Sequence, residues 1–121
     1  MHQETARSLL DALDVCREIY SLCQDVTLAE YSNQRLRYLS VERLFEIAGE
    51  AMNRADRYDR AQIRQLKQAG TLIGLRNRLA HDYDNISLSI LWDTAVNDLP
   101  PLIAEIETLL ERHGHQEKAF E

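Results

Sequence analysis

The sequence predicts an all-α protein that folds as an antiparallel up-and-down bundle of four to five helices. The chain contains few helix breakers, with four glycines and two prolines among 121 residues. Apolar residues recur every three or four positions, and no segment alternates apolar with polar residues as a strand does. A chain of this length supports one hydrophobic core. We therefore expect a single domain over residues 1–121, with a core at about 4–112 and a polar tail at 113–121.

The first helix is predicted from about Glu4 to Gln24. Its apolar side chains form one stripe along a helix face. The stripe consists of Leu9, Leu13, Cys16, Tyr20 and Cys23. The two cysteines lie about 10 Å apart along the helix axis. Because a disulfide needs a shorter separation, we expect two buried free cysteines.

The second helix is predicted from about Asn33 to Arg57. Its apolar face contains Val41, Leu44, Ile47, Ala48, Ala51 and Ala55. Gly49 lies inside this helix, where glycine costs about 1 kcal/mol relative to alanine. That cost is tolerable if another helix packs closely at this position.

The third helix is predicted from about Ala61 to near Ala80, and Gly70 and Gly74 favour a kink in its middle. The last helix is predicted to begin near Ser87. Pro100-Pro101 must bend or restart it, because proline lacks the N–H that a helix interior requires.

The net charge of −6 argues against a general nucleic-acid-binding surface. The charge is uneven, however. Residues 54–78 contain seven basic and two acidic side chains, a net of +5, which leaves −11 for the rest of the chain. This basic segment fits either a binding face for an anionic substrate such as RNA or an ordinary solvated helix face.

No stretch of the sequence approaches the roughly 20 apolar residues of a membrane span. The N-terminal residues 1–5 are polar and acidic, unlike a signal peptide. We therefore expect a cytoplasmic protein with no membrane association.

The residues with the clearest chemical potential lie between Arg76 and Tyr83. Histidine moves protons near neutral pH, and the planar cation of arginine suits phosphate oxygens. Such a pair can cleave RNA, in which the ribose 2′-hydroxyl is an internal nucleophile. His81 would take or deliver a proton, and Arg76 would stabilise the charge of the transition state. The segment offers no carboxylate cluster with metal-site spacing, so we expect no metal and no cofactor.

The spacing of Arg76 and His81 raises a geometric problem. In a regular helix, five positions place them roughly 140° apart around the axis, whereas Asn77 and His81 share a face. Three solutions remain open: the helix ends before His81, the arginine side chain curls round, or the site combines residues of two subunits. The simpler alternative for a histidine near a helix end is a capping or core role.

The residues Arg76-Asn77-x-x-x-His81-x-Tyr83 match the R-x4-H-x-Y motif of the HEPN superfamily, and the whole chain resembles its HepT-like toxin branch. The resemblance covers roughly residues 4–112. Its supporting segments are Ile47-Ala48-Gly49-Glu50-Ala51, Gly74-Leu75-Arg76-Asn77-Arg78-Leu79 and Trp92-x6-Leu99-Pro100.

The resemblance implies an all-helical homodimer and a metal-independent ribonuclease toxin of a toxin–antitoxin pair. The implied partner is a MntA-like minimal nucleotidyltransferase, which neutralises the toxin by transferring AMP from ATP to the motif tyrosine. Carried over to this sequence, Arg76 and His81 are the catalytic pair and Asn77 is the accompanying polar residue. Tyr83 is the acceptor of AMP.

Two further residues are weaker candidates for the site. Glu50 is expected either to pair with Arg76 or Arg78, or to be an ordinary exposed glutamate. Arg78 is a possible supporting cation for a phosphate. An alternative function is an interaction or nucleotide-binding subunit without catalysis, which works with the nucleotidyltransferase.

Overall fold

The computed structural model describes residues 1–81 and 86–114, and all regular structure in this part of the chain is helical. The predicted all-α fold class is confirmed. In chain order the helices are α1 (Gln3–Cys23), α2 (Leu28–Ser32), α3 (Arg35–Tyr58), α4 (Arg60–Ile63), α5 (Ala69–His81), α6 (Leu88–Asp93), a π-helical segment (Thr94–Asp98) and α7 (Leu99–Arg112).

The core lies where the long helices meet. Helix α1 packs against α3 and α7, and α3 also packs against α5. The buried stripe of α3 differs from the predicted one, because Phe45 and Met52 are fully buried while Ile47 remains 37% exposed. Ile47 follows Leu44 by three positions, but it lies about 100° from the buried Ala48 around the helix. It therefore lies at the edge of the buried face and is partly exposed.

The third predicted helix is divided in two, so the prediction of one helix from Ala61 to Ala80 was wrong. Between α4 and α5 the backbone forms tighter turns, in which Leu66 N–H donates to the Ile63 carbonyl at 2.9 Å and Ala69 N–H donates to the Leu66 carbonyl at 3.2 Å. Ile63 and Leu66 are both buried by this arrangement. The predicted kink at Gly70 or Gly74 is replaced by this break, and both glycines lie within α5.

Helices α3 and α5 pack closely at Gly49, which meets the condition for tolerating a glycine inside α3. A Cβ atom at Gly49 would overlap Cβ of Arg76 and would lie 2.6 Å from the Leu72 carbonyl oxygen. Any side chain here would force α3 and α5 apart. The glycine therefore fixes the distance between these helices at the level of Arg76.

Pro100-Pro101 is accommodated by a widened helical turn. The π-helical segment continues directly into α7, and Leu99 N–H donates to the Thr94 carbonyl five positions earlier. Pro100 and Pro101 then occupy the first turn of α7, where their missing N–H groups cost little. No helix in the described part of the chain is long and apolar enough to span a bilayer.

Candidate active site

Helix α5 has a buried half and an exposed half. Its buried residues are Ala69, Leu72 and Leu75, all in the first two turns. From Arg76 to His81 no residue is buried. The apolar half anchors the helix to the bundle, and the following turns present the polar motif residues to solvent.

Arg76 lies between α3 and its own helix. Its Nη2 atom is 2.8 Å from Oε2 of Glu50 on α3, and its Nη1 donates a hydrogen bond to Oδ1 of Asn77 at 3.1 Å. Each side chain of the ion pair is about one-third exposed, at 34% for Arg76 and 35% for Glu50. Of the two alternatives for Glu50, the structure shows the one paired with Arg76.

Arg76 and Glu50 border a surface groove of about 350 Å³, which we call the α3–α5 groove. Three arginines, two glutamates and two apolar residues of the described part of the chain line it. These residues are Arg43, Glu46, Ile47, Glu50, Arg54, Arg76 and Ala80. Three guanidinium groups against two carboxylates leave a net charge of +1, which suits a polyanionic ligand.

His81 is the last residue of α5 and is exposed. The helix does not end before it, which removes one of the three solutions to the spacing problem. Since α5 stays helical from Arg76 to His81, the two side chains leave the helix roughly 140° apart. The Arg76 guanidinium is directed to Glu50 on α3, and His81 lies on a different face of α5.

The remaining residues of the motif segment are Asn77, Arg78 and Tyr83. Asn77 is exposed and contacts Arg76 as described above, and Arg78 is exposed on α5. Tyr83, the predicted acceptor of AMP, lies outside the described residues. Within residues 1–81 and 86–114, no group of three or more His, Cys, Asp or Glu side chains is arranged to hold a metal ion.

A sequence profile of the family described as Ribonuclease HepT-like matches residues 12–109, which include both the groove and α5. The chain belongs to this family. The match confirms the resemblance found in the motif residues.

Several curated proteins are similar to this HepT-like chain. Putative RNase MJ0127 of Methanocaldococcus jannaschii is 29% identical over 85% of this chain and 84% of its own length. Putative RNase MJ1380 of the same organism is 28% identical over 82% and 90%, and Putative RNase TTE0752 of Caldanaerobacter subterraneus is 21% identical over 90% and 97%. No solved structure matches the chain.

Sequence reasoning missed three residues that line the groove of this HepT-like chain, namely Arg43, Glu46 and Ile47. Their signal is helical spacing, because positions 43, 46, 47, 50 and 54 fall on one face of α3. Arg54 was recognised only as part of the basic segment. This spacing shows that the charged residues share a face with Glu50, but only the packing of α3 against α5 shows that the face borders a groove.

Proposed function

We propose that this HepT-like protein is a metal-independent endoribonuclease toxin that acts in the cytoplasm, with Arg76 and His81 as its catalytic pair. The observation that carries the proposal is the exposure of Arg76 in the α3–α5 groove, on a chain of the Ribonuclease HepT-like family. The curated relatives named as RNases support the same activity.

The chemistry requires one proton carrier and one fixed cation. His81 removes the proton of the 2′-hydroxyl or delivers one to the leaving 5′-oxygen, and solvent water carries out the other proton transfer. The 2′-oxygen attacks phosphorus, and the bond to the 5′-oxygen breaks, giving a 2′,3′-cyclic phosphate. Arg76 stabilises the negative charge on the non-bridging oxygens during this step. Asn77 accepts a hydrogen bond from Arg76 and restricts its guanidinium.

The orientation of the two residues supports a homodimer in which each site combines two chains. Arg76 is directed to α3, whereas His81 leaves α5 on another face. If α5 of a second copy lies across the groove, Arg76 of one chain can face His81 of the other. Two such sites then follow from two-fold symmetry. Light scattering at micromolar concentration should give the mass of a dimer, and a clean monomer would contradict this arrangement.

We further propose that a MntA-like minimal nucleotidyltransferase neutralises the toxin by transferring AMP from ATP to Tyr83. The tyrosine oxygen attacks the α-phosphorus of ATP, and pyrophosphate leaves. The added phosphate would bind near Arg76 and Arg78 through charge-assisted hydrogen bonds and would compete with RNA for them.

The ribonuclease proposal is tested by RNA cleavage with the purified chain in excess EDTA. Arg76→Ala and His81→Ala should each lower the rate by about 10²-fold or more, as is typical for such groups. Arg7→Ala is the matched control, because Arg7 is exposed on α1, outside both the groove and the basic segment 54–78. Full activity of a folded His81→Ala variant would overturn the proposal, and loss of cleavage in EDTA would reveal a metal requirement.

The modification is tested with Tyr83→Phe, which removes one oxygen. After co-expression with the nucleotidyltransferase, intact-mass spectrometry should show added AMP on the parent and none on the variant. The partner should then fail to neutralise the variant. If the variant carries as much AMP as the parent, another of the five tyrosines is the acceptor.

The second candidate function is that of a non-catalytic subunit that binds the same nucleotidyltransferase. It is favoured by the apolar side chains that α3 exposes, since Leu36 is 83% exposed and Leu39 is 39% exposed. Expression of the chain alone distinguishes the two functions. Growth arrest that depends on His81 supports the ribonuclease, whereas absence of both toxicity and RNA cleavage supports the interaction subunit.

A further inference from the structure

Among the described residues, Glu50 is the acidic residue that pairs with the proposed catalytic arginine. We propose that Glu50 is a positioning residue, whose carboxylate holds the Arg76 guanidinium in the α3–α5 groove ready for a substrate phosphate. This inference rests on the proposed ribonuclease function. It assigns to Glu50 an effect on the reaction that is exerted only through Arg76.

Two contacts from different helices restrain the guanidinium. Glu50 on α3 lies 2.8 Å from Nη2, and Asn77 on α5 accepts from Nη1 at 3.1 Å. A guanidinium is planar and has five N–H donors. Contacts at both terminal nitrogens therefore restrict rotation of the plane and leave further N–H groups for phosphate oxygens.

The backbone next to Glu50 makes this contact short. Gly49 lies directly against Cβ of Arg76 and the Leu72 carbonyl, so α3 approaches α5 as closely as the backbones permit. The carboxylate of the following residue is thereby placed beside the arginine side chain. A close approach built into the backbone is a more rigid support than two flexible side chains that meet in solvent.

The burial of Glu50 Oε2 and the charge of Arg76 favour the pairing of these two side chains. Oε2 of Glu50 is buried, and no N–H or O–H group of the described residues is aligned to donate a hydrogen bond to it. The charge of Arg76, 2.8 Å away, offsets its desolvation, although the N–H direction makes this an ion pair and not an aligned hydrogen bond.

The neighbouring arginines of the groove have other carboxylate partners. Arg43 pairs with Glu46 at 3.3 Å, and Arg54 pairs with Asp11 at 3.5 Å. Among the described ion pairs, Glu50 therefore belongs to Arg76 alone.

An arginine that stabilises transition-state charge acts best when it is already oriented before the reaction begins. Without Glu50, the long side chain would sample several rotamers and would have to be reordered in every turnover. The expected result is a lower kcat with little change in KM, because other groove residues still bind the RNA. A role limited to RNA binding would instead change KM.

The test compares Glu50→Gln with two control substitutions. Glu107→Gln breaks another interhelical Arg–Glu pair, between α7 and Arg17 of α1, at 2.5 Å and away from the groove. Glu46→Gln removes a negative charge from the groove without touching the Arg76 pair. Because Glu46 lines the groove and pairs with Arg43, this variant can change KM, but it should not lower kcat as Glu50→Gln does. Glu50→Gln should lower kcat by about 10-fold, with KM changed less than about 2-fold. In an Arg76→Ala background it should have no further effect.

A second measurement follows Arg76 without depending on activity. The Nε–Hε NMR signal of Arg76, assigned by its loss in Arg76→Ala, should report a rigid group in the parent and in Glu107→Gln. It should report a mobile group in Glu50→Gln. If the parent never cleaves RNA, the ribonuclease proposal fails, while this signal still decides whether Glu50 holds Arg76.

Three results would overturn the inference. The first is an Arg76 signal that is equally rigid in Glu50→Gln. The second is a folded Glu50→Gln variant with the parent's kcat. The third is an equal loss of kcat in Glu46→Gln, which would mean that the charge of the groove matters and not the contact with Arg76.

Discussion

Helices α1 and α5 differ in how many of their residues are buried and in where those residues lie along the helix. Helix α1 buries ten of its 21 residues, spread along its whole length. Helix α5 buries three of its 13, all before Arg76. Helix α1 stabilises the bundle, and helix α5 supports a short polar segment at its C-terminal end. Stability and the proposed chemistry are therefore separated along the chain, and substitutions in the two helices should have different consequences.

Helix α3 connects these two regions. One face contributes fully buried side chains such as Phe45 and Met52 to the core. The opposite face presents Glu50 to Arg76. A change in α3 can thus alter both stability and the site, which substitutions in α1 and at the end of α5 should not do.

The largest expected effect on stability comes from the core of α1. Leu9 is fully buried, so Leu9→Ala should lower the free energy of unfolding by about 2–5 kcal/mol through lost burial and a cavity. Leu36→Ala is the same substitution at a position that is 83% exposed, and it should cost no more than about 0.5 kcal/mol. Urea unfolding followed by circular dichroism measures both. Equal costs would contradict the assignment of α1 to the core.

The next effect is expected at Gly49, where the two regions meet. In Gly49→Ala the new methyl group would overlap Arg76 and the Leu72 carbonyl. Because backbone atoms must move, we expect a loss of about 1–3 kcal/mol in the free energy of unfolding. RNA cleavage should fall as well, since the shift separates Glu50 from Arg76.

Gly74→Ala is the control for Gly49→Ala, because Gly74 is also helical and has open space around its Cβ position. It should stabilise the protein slightly, since alanine is the better helix former. Similar destabilisation by both alanines would show that the contact at Gly49 is not tight.

The smallest expected effect is the pH dependence that the two cysteines of α1 give to the free energy of unfolding. Burial raises the pKa of the Cys16 thiol from 9.0 to about 12. For Cys23, burial, opposed by Arg37, raises the pKa to about 11. Since the folded-state values exceed the unfolded ones, this contribution to stability is complete below about pH 9 and is lost as pH rises toward 11–12.

We expect each thiol to cost about 1 kcal/mol of stability by pH 10. Replacing both cysteines with alanine should flatten the decline of stability between pH 8 and pH 10.5. The cavities created do not depend on pH, so the comparison of slopes cancels their cost. An unchanged slope would mean that both thiols ionise as readily in the folded protein as in the unfolded chain.

The helical periodicity of the sequence was sufficient for the fold class and for the approximate bounds of α1 and α3. It did not settle the close contact at Gly49, because an interior helical glycine can also have open space around it, as Gly74 does. The break between α4 and α5 was missed, since the apolar residues on either side of residues 64–68 continue a helical spacing. Only tertiary burial of Ile63 and Leu66 distinguishes two helices from one.

For the candidate site, the motif spacing indicated Arg76, Asn77 and His81. Asn77 and His81 are exposed near the end of α5, and Arg76 is partly exposed. The pairing of Glu50 with Arg76 was one of two open alternatives. The two residues are 26 positions apart, so local helical spacing does not show whether they are in contact. The groove residues on α3 were missed for a related reason. Which exposed face of a helix borders a site depends on the packing of α3 against α5.

Mixed dimers distinguish a site built from Arg76 of one chain and His81 of another from a site contained in one chain. Two differently tagged chains are co-expressed and purified through both tags. A dimer of Arg76→Ala with His81→Ala contains one site with both residues, so it should retain about half of the parent's RNA cleavage in excess EDTA. A dimer of the parent chain with the Arg76→Ala/His81→Ala double variant contains no complete site and should be inactive. The reverse pattern, with the first dimer inactive and the second half-active, would contradict the account.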